Sequence, residues 1–426
     1  MSADRPHPSE SGKSAGALLG NVKLWIAPGV LSGLVALFVS LLYMGGILTP
    51  ETSMSRLPIA LVNEDTGKPA PGARANLGTQ VSSQIIASTP GDRVQWRRLD
   101  HAAAQDQLAS GKAYGVLIIP ADFTGAVRSL AGPEAERPTL TVLTNPGMGS
   151  LGSSMASRIS EQAAHRASAA VGKQLLATPE LSGAPSATRL LLADPVAVET
   201  RIGHPIGTHS GMGLSAFYYV LLLVLAGFLS ANIIHNSVDT ALGYADAEIG
   251  PWHSRHRTVP INRTQTLLLK MSMSAGLCVP ITALVMIACI VVLGMDAHHL
   301  PMLTAFSYFA CLAVAIGVQA INAAFGSIGQ LVSMFVFIAL ALPSSGATVP
   351  LEAVPGFYRF LSVFEPMHQL VSGVRSILYF DARADAGLTR GWIMIGIGIA
   401  AALAFGFLMT RYYDRKGLHR MVPQPG

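Results

Sequence analysis

Asn63, Glu64 and Asp65, near the end of "LPIALVNEDTGKP" (57–69), set an amide and two carboxylates side by side. Carboxylates could hold calcium or move protons, but calcium needs oxygen ligands at fixed loop spacing and no second acidic cluster supplies them. Asn and Asp beside Gly67 are what a strand-ending turn uses. "HPSESGKS" offers Gly12, Lys13 and Ser14, yet His7 stands where a phosphate loop needs its first glycine and no strand precedes it. The adjacent His298 and His299 cannot share one helix face and read as a solvent-exposed loop pair rather than a metal site. Cys278, Cys289 and Cys311 lie in apolar runs without metal-ligand spacing and read as small buried hydrophobes. "NRT" at Asn262 matches a glycosylation acceptor, silent if that loop is cytoplasmic. No nucleophile elbow, protease triad or H-E-x-x-H helix is present. These residues imply no enzyme, no metal and no cofactor.

The elements around them are those of a membrane protein. Of 426 residues, 50% are hydrophobic and 12% charged, with mean hydropathy +0.45, whereas soluble domains carry roughly 25% charged residues. The net charge of +5 sits beside apolar runs rather than in an aromatic-studded patch, so it reads as a topology signal and not as a nucleic-acid surface. A helix needs roughly 18 or more apolar residues to cross a bilayer. Six runs are read as spans: Leu24–Leu48, an uncleaved signal anchor, then Gly213–Ile234, Met271–Leu293, Leu303–Ala324, the short Ile328–Leu342 and Trp392–Met409. Lys and Arg in short flanking loops (Arg5, Lys13, Lys23; Arg255, Arg257, Arg263, Lys270; Arg411, Arg415, Lys416, Arg420) put both termini in the cytoplasm of a multi-pass plasma-membrane protein. The organisation is then a cytoplasmic tail (1–23), a first span (24–48), an extracytoplasmic domain (49–212), a five-helix membrane domain (213–411) and a second cytoplasmic tail (412–426). An inner loop (235–265) and an outer segment (343–391) interrupt the membrane domain.

Within 49–212 the periodicity changes. "LPIALVN", "RVQWRRL", "AYGVLIIP" and "RPTLTVLTN" read as strands, and "LGTQVSSQIIAS", "DHAAAQDQLASG", "ADFTGAVRSLAG" and a run from Met148 to Leu176 read as helices. Asp100 is a predicted N-cap, Asp122 lies near a helix start and Gly111 is a helix stop. Such alternation predicts a small α/β domain with a partly parallel sheet, inserted between the first and second spans. The Pro-rich stretch to Pro205 leads back to the membrane.

Polar residues inside apolar runs are candidate pathway positions, with interhelical hydrogen bonding as the plainer reading: Asn232, Gln319, Asn322 and Gln330. Lys270 is expected to snorkel to the inner interface. Gly29 and Gly33 make a GxxxG spacing. The inner loop is long and basic enough for a short surface helix, and Arg255, Arg257, Pro260 and Arg263 are its candidate docking positions for a partner. The outer segment "VPLEAVPGFYRFLSVFEPMHQLVSGVRSILYF" is apolar but broken by prolines, which predicts an interfacial or re-entrant helix capping the bundle. Pro350, Glu352, Pro355, Glu365 and Pro366 form a candidate outer gate.

The order of these parts resembles the phage-infection-protein (YhgE/Pip) family, in or near the ABC-2-type permeases. "IALVNEDTG" followed by "NLG" resembles that family's signature after its first span, and "DQLASGKAYGVLIIPADFT" its next block. "TVPINRTQTLLLK" and "SSGATVPLEAVPGFYRFLSVFEPMHQLVSGVRSI" are similar to the permease pattern of a Pro-x-x-Arg turn entering a span and an outer turn before a Pro-containing helix. "VDTALGYADAEIGPWHSRHR" stands where many ABC-2 permeases carry an acidic stretch, and the coiled-coil insertion of longer members is absent. The resemblance implies a permease subunit, homodimeric or heterodimeric in the lipid bilayer, exporting a hydrophobic or amphiphilic compound with a separate ABC ATPase. The alternative is a non-transporting envelope scaffold or receptor whose outer domain binds a phage or secretion component; a membrane enzyme is a third, lesser reading.

Overall fold

The computed structural model describes residues 22–69, 74–130, 137–177, 186–249, 251–254, 256–418 and 420. Helix α1 (Val22–Ile47) is apolar all round and stands largely exposed, as suits a helix solvated by lipid. Its last turns make its contacts: Phe38 meets Phe335 edge-on at 5.4 Å, and Tyr358 donates to the Leu42 carbonyl at 2.9 Å. A Cβ at Gly29 or Gly33 would meet nothing within 4 Å among the described residues.

The α/β domain follows as β1 (Leu57–Asn63), α2 (Leu77–Ser88), β2 (Val94–Leu99), α3 (His101–Ala109), β3 (Gly115–Ile119), α4 (Phe123–Ser129), β4 (Thr139–Thr144), α5 (Ser150–Leu176), α6 (Ser186–Ala193) and β5 (Ala197–Ile202). The five strands order as β2-β1-β3-β4-β5, with β3 and β4 antiparallel and the other neighbours parallel. Helices cover both faces, which is why β1 is a continuous apolar run. Ala60 and Val62 pack with Leu108 of α3 on one side, and Leu61 packs with Val81, Phe123 and Ala164 on the other. Asp100 caps α3 by accepting from the Ala103 amide at 2.7 Å, and Gly111 (φ 62°) ends that segment. Asp122 holds the N-cap position of α4 without a side-chain cap bond. β5 lies in the stretch read above as a bare connector.

Among the described residues, five helical runs are long and apolar enough to cross a membrane: Pro28–Ile47, Ser215–Ala241, Arg263–Val292, Leu300–Ser344 and Leu388–Arg415. The second is α7 (Ser215–Ala241). The loop after it folds as a two-stranded hairpin, β6 (Ala247–Ile249) with β7 (Trp252–Ser254), instead of the expected surface helix. Pro251 between the strands cannot donate to a helical ladder. Next comes α8 (Arg263–Met286), which widens into a π-helical turn to Val292. The fourth run has 45 residues, roughly 67 Å if straight and about twice the hydrocarbon thickness. It is not straight. After α9 (Leu300–Phe325), Gly326 takes φ 62°, ψ −130°, a conformation suited to glycine, and the chain doubles back. Gly317 then faces Phe337 and Gly329 faces Asn322, so segment 329–344 is an arm antiparallel to α9. The two spans read from sequence in this region are thus one run folded at Gly326. Three further helices complete the chain: α10 (Gly356–Phe364), α11 (Pro366–Tyr379) and α12 (Leu388–Arg415).

Candidate functional site

The prolines of 350–366 shape a helical hairpin. Pro355 precedes α10, whose Phe357, Phe360, Val363 and Phe364 are exposed while Tyr358 and Ser362 are buried. Exposed aromatics on one helix face are costly in water and stable against lipid. Pro366 disfavours helical backbone in the residue before it, and Glu365 is extended (φ −76°, ψ 126°), so α10 ends and α11 turns back. Glu365 then caps α11, its Oε2 accepting from the His368 amide at 3.1 Å. Gln369, one turn on and on the same face, ties the two arms through Nε2 to the Ser362 carbonyl at 3.0 Å. This bond fixes which end of the amide is the acceptor. Glu365 and Gln369 are 4% and 1% exposed, and Glu365 Oε1 and Gln369 Oε1 have no hydrogen-bond partner. A buried acceptor left unmade costs about 1–3 kcal/mol.

An apolar cavity of about 440 Å³ lies at this hairpin tip. Phe364, Pro366 and Gln369 line it from the tip, Gly317 from α9, Phe337 from the return arm and Gly398 from α12. Glycine and alanine on α9 and α12 create the space: a Cβ at Gly398 would meet nothing within 4 Å. Its size suits a small organic ligand.

Toward the α/β domain, a second cavity of about 570 Å³ has charged residues in a largely apolar lining, with Lys112, Tyr114, Glu352, Arg375, Asp385 and Arg390 among its walls. Here the domain is fastened to the membrane helices. Tyr114 donates to Glu352 at 2.9 Å, Lys112 pairs with Asp385 at 2.6 Å, and Arg383 pairs with Asp106 at 2.8 Å. Burial, with the Glu352 carboxylate adding to it, pushes the Tyr114 phenol well above its ordinary 10, so it stays a donor. Lys112 and Arg383 hold the exposed Asp385 carboxyl down at about 2. His299 belongs to this rim, 2.7 Å from Asp381, rather than to a free histidine pair.

The opposite end of the bundle holds a cluster that no local pattern announced. Lys270 Nζ is 2.6 Å from Asp239 Oδ1 and 3.0 Å from His235 Nδ1, and Arg420 reaches Asp239 Oδ2 at 2.7 Å. The expectation that Lys270 snorkels is wrong: it is 3% exposed, because the Asp239 carboxylate lies within reach inside the bundle. Asp414 accepts from the Arg263 and Thr264 amides at 2.9 and 3.0 Å, capping the start of α8 from the end of α12. Asn262 builds a capping box with Gln265, which accounts for it without glycosylation.

The remaining predicted positions sort accordingly. Arg263 is held by Leu418 O (2.7 Å) and stacks on Tyr413, while Arg257 and Pro260 are exposed. Arg255 lies outside the described residues. Asn322 donates to Asn232 at 3.0 Å, Gln319 to the Ala231 carbonyl at 2.9 Å and Gln330 to Asn236 at 3.2 Å, a ladder joining α7 to α9 and the return arm. These residues do not line the apolar cavity. The candidate gate divides: Pro350, Glu352 and Pro355 belong to the domain junction, Glu365 and Pro366 to the hairpin tip. Asp65 is a structural hub whose carboxylate accepts from the Gly67, Gly78 and Thr124 amides at 3.1, 2.9 and 3.1 Å and from Thr124 Oγ1 at 2.5 Å. The turn reading of "NEDTG" holds, and "NLG" recurs with it because Asn76 caps α2 and Gly78 donates to Asp65.

No curated protein matches this sequence. Among solved structures, a domain from Thermotoga maritima MSB8, provisionally described as part of an ABC type-2 transporter, matches at 19% identity over 38% of this chain and 98% of that one, with a TM-score of 0.24. A family model matches residues 29–398. Its description is not the YhgE/Pip family that the motifs resemble: with most of its length matched, the chain belongs to the family described as a protein of unknown function (DUF3533).

Proposed function

We propose that this chain is the permease subunit of an ABC-2-type exporter, moving a hydrophobic or amphiphilic compound outward with a separate ATPase. The apolar cavity under the helical hairpin carries this reading, because it offers a cargo-sized space at membrane depth between α9, the return arm and α12. The fold at Gly326 supports a sixth crossing, which puts both termini on one side. Arg257, Arg263, Arg411, Arg415, Lys416 and Arg420 cluster at the end away from the α/β domain, favouring that end as cytoplasmic and the domain as external. The exposed hairpin with Trp252, together with Arg257 and Pro260, is then the surface an ATPase grips. Nucleotide-driven closure of two such subunits would shift the cavity between inward and outward openings.

The test is affinity purification of the tagged chain from its own cells, with ATPase measurement, alongside dye accumulation in a deletion strain. Export predicts an ATPase that co-purifies, is lost on Arg257→Glu, and a deletion strain that accumulates a lipophilic dye. No co-purifying ATPase together with unchanged accumulation is the scaffold's result and contradicts the proposal.

A further inference from the structure

A third cavity, of about 250 Å³, opens at the β2 edge of the sheet beside the chain that leaves α1. Arg158, Gln162 and Arg166 line it from α5, where a spacing of four puts all three on one helix face. Arg93, just before β2, joins them in the lining and is steadied by donating through Nη2 to the Glu51 carbonyl. Neither Arg158 nor Arg166 has a hydrogen-bond or ion-pair partner among the described residues. Glu51 is the one acid among the described residues of the lining, so three guanidiniums against one carboxylate leave an excess of two positive charges. Glu161, also on α5, is committed elsewhere: it accepts from Ser157 and from Thr200 of β5, the opposite edge of the sheet, at 2.8 and 2.7 Å. The rest of the lining includes apolar Met54, Val94, Met155 and Ile159, which pack in one cluster with Leu42 and Tyr43 of α1. Apolar surroundings strengthen the attraction of the arginines for an anion.

Depth narrows the kind of anion. Exposed apolar residues continue along α1 through Met44 and Ile47 to Leu48, so hydrocarbon reaches that residue when α1 crosses a bilayer. Glu51 follows three residues later, at most about 11 Å along the chain, and the head-group layer on each side of the hydrocarbon is about 5–8 Å deep. The rim of the cavity thus stands at the level of lipid phosphates. Guanidinium and phosphate match as two parallel N–H bonds, a geometry that arginine offers and lysine does not.

We propose that this cavity binds the phosphate of an anionic phospholipid, with Arg158 and Arg166 donating to its free oxygens, Arg93 alongside, and the apolar lining against the glycerol end of the acyl chains. The proposal rests on α1 being a span and not on transport, since this cavity shares no lining residue with the apolar one between α9 and α12. A zwitterionic lipid offers the same phosphate, but its ammonium meets the excess of positive charge, and an anionic head brings no such group.

The experiment is native mass spectrometry of the full chain, purified in dodecylmaltoside and mixed with equal amounts of dioleoylphosphatidylglycerol and dioleoylphosphatidylcholine. The wild type is expected to retain phosphatidylglycerol about tenfold over phosphatidylcholine, the scale of one charge-assisted hydrogen bond. Arg158→Gln with Arg166→Gln, both at exposed positions that the fold does not need, should bring the two lipids to equal retention. Arg98→Gln with Arg189→Gln removes as much charge from exposed positions outside the cavity and should keep the preference. Excess inorganic phosphate, which lacks acyl chains, should leave the lipid in place. No preference in the wild type, or a preference that both arginine pairs abolish alike or that neither abolishes, overturns the proposal. Displacement of the lipid by inorganic phosphate would make this a site for the free anion and overturns the lipid assignment.

Discussion

The two ends of the helical bundle treat buried polar groups in opposite ways. At the end away from the α/β domain, Asp239 is shared by Lys270, His235 and Arg420, so its buried charge is neutralised and hydrogen-bonded. At the hairpin tip, Glu365 and Gln369 are as deeply buried, yet each keeps an oxygen without a partner among the described residues. The first arrangement joins α7, α8 and the chain's end and needs nothing more. The second leaves one acceptor on each side chain unmade among the described residues.

The comparison breaks most sharply at Asp239. Asp239→Ala leaves Lys270 buried, and the partly exposed Arg420, without their carboxylate and is expected to lower stability by about 3–5 kcal/mol, read from thermal unfolding in detergent. Asp239→Leu with Lys270→Met should recover much of that loss, since apolar replacement of a whole buried pair is often neutral. A double variant as unstable as the single one would show that the cluster does more than brace. The paired carboxylate of the α/β domain provides the next test. A Cβ at Gly78 would sit 2.4 Å from Asp65 Cβ, so Gly78→Ala should cost about 1–3 kcal/mol by overpacking. Midpoints unchanged within error would remove Asp65 from the class of structural hubs.

Glu365→Gln should behave in the contrary manner, lowering the unfolding midpoint far less than Asp239→Ala because the α11 cap survives. A stability loss as large as that of Asp239→Ala would place the tip with the braces. The smallest effect concerns the junction between domain and bundle. Asp385 has its carboxyl held at about 2 against an ordinary 3.8, so its contribution is complete above 3.8 and is lost as pH falls toward 2. Hydrogen exchange at α3 should rise over that window in wild type and less in Asp385→Asn; identical profiles would mean the Lys112 pair does not couple the domain to the bundle.

Much of this was legible because local signals are strong. β1 announced itself by an apolar run closed by Asn63, α3 by Asp100 at its start and Gly111 beyond its end, and the hairpin tip by Pro366, which no continuous helix tolerates without cost. β5 is hard to see in sequence because "AVETRI" is half polar and follows a proline-rich stretch; its partner β4 supplies the reason to be a strand. The Asp239 cluster draws on α7, α8 and residue 420, so no spacing in the chain reveals it, although Asp239 four residues after His235 at the end of an apolar run was a usable hint. Gln369 was passed over for a different reason: a polar residue on a helix is ordinary, and only packing shows that its acceptor is unmade.

The account's central claim is that cargo occupies the cavity under the hairpin. Gly398→Leu tests it most directly, because Gly398 lines the cavity and an added Cβ there meets nothing within 4 Å. Lipophilic dye accumulation is measured in a deletion strain carrying either the wild-type or the variant chain. The account predicts that the variant, present at wild-type level with an unchanged unfolding midpoint, accumulates dye as the deletion strain does; accumulation restored to the wild-type level by the variant would contradict it.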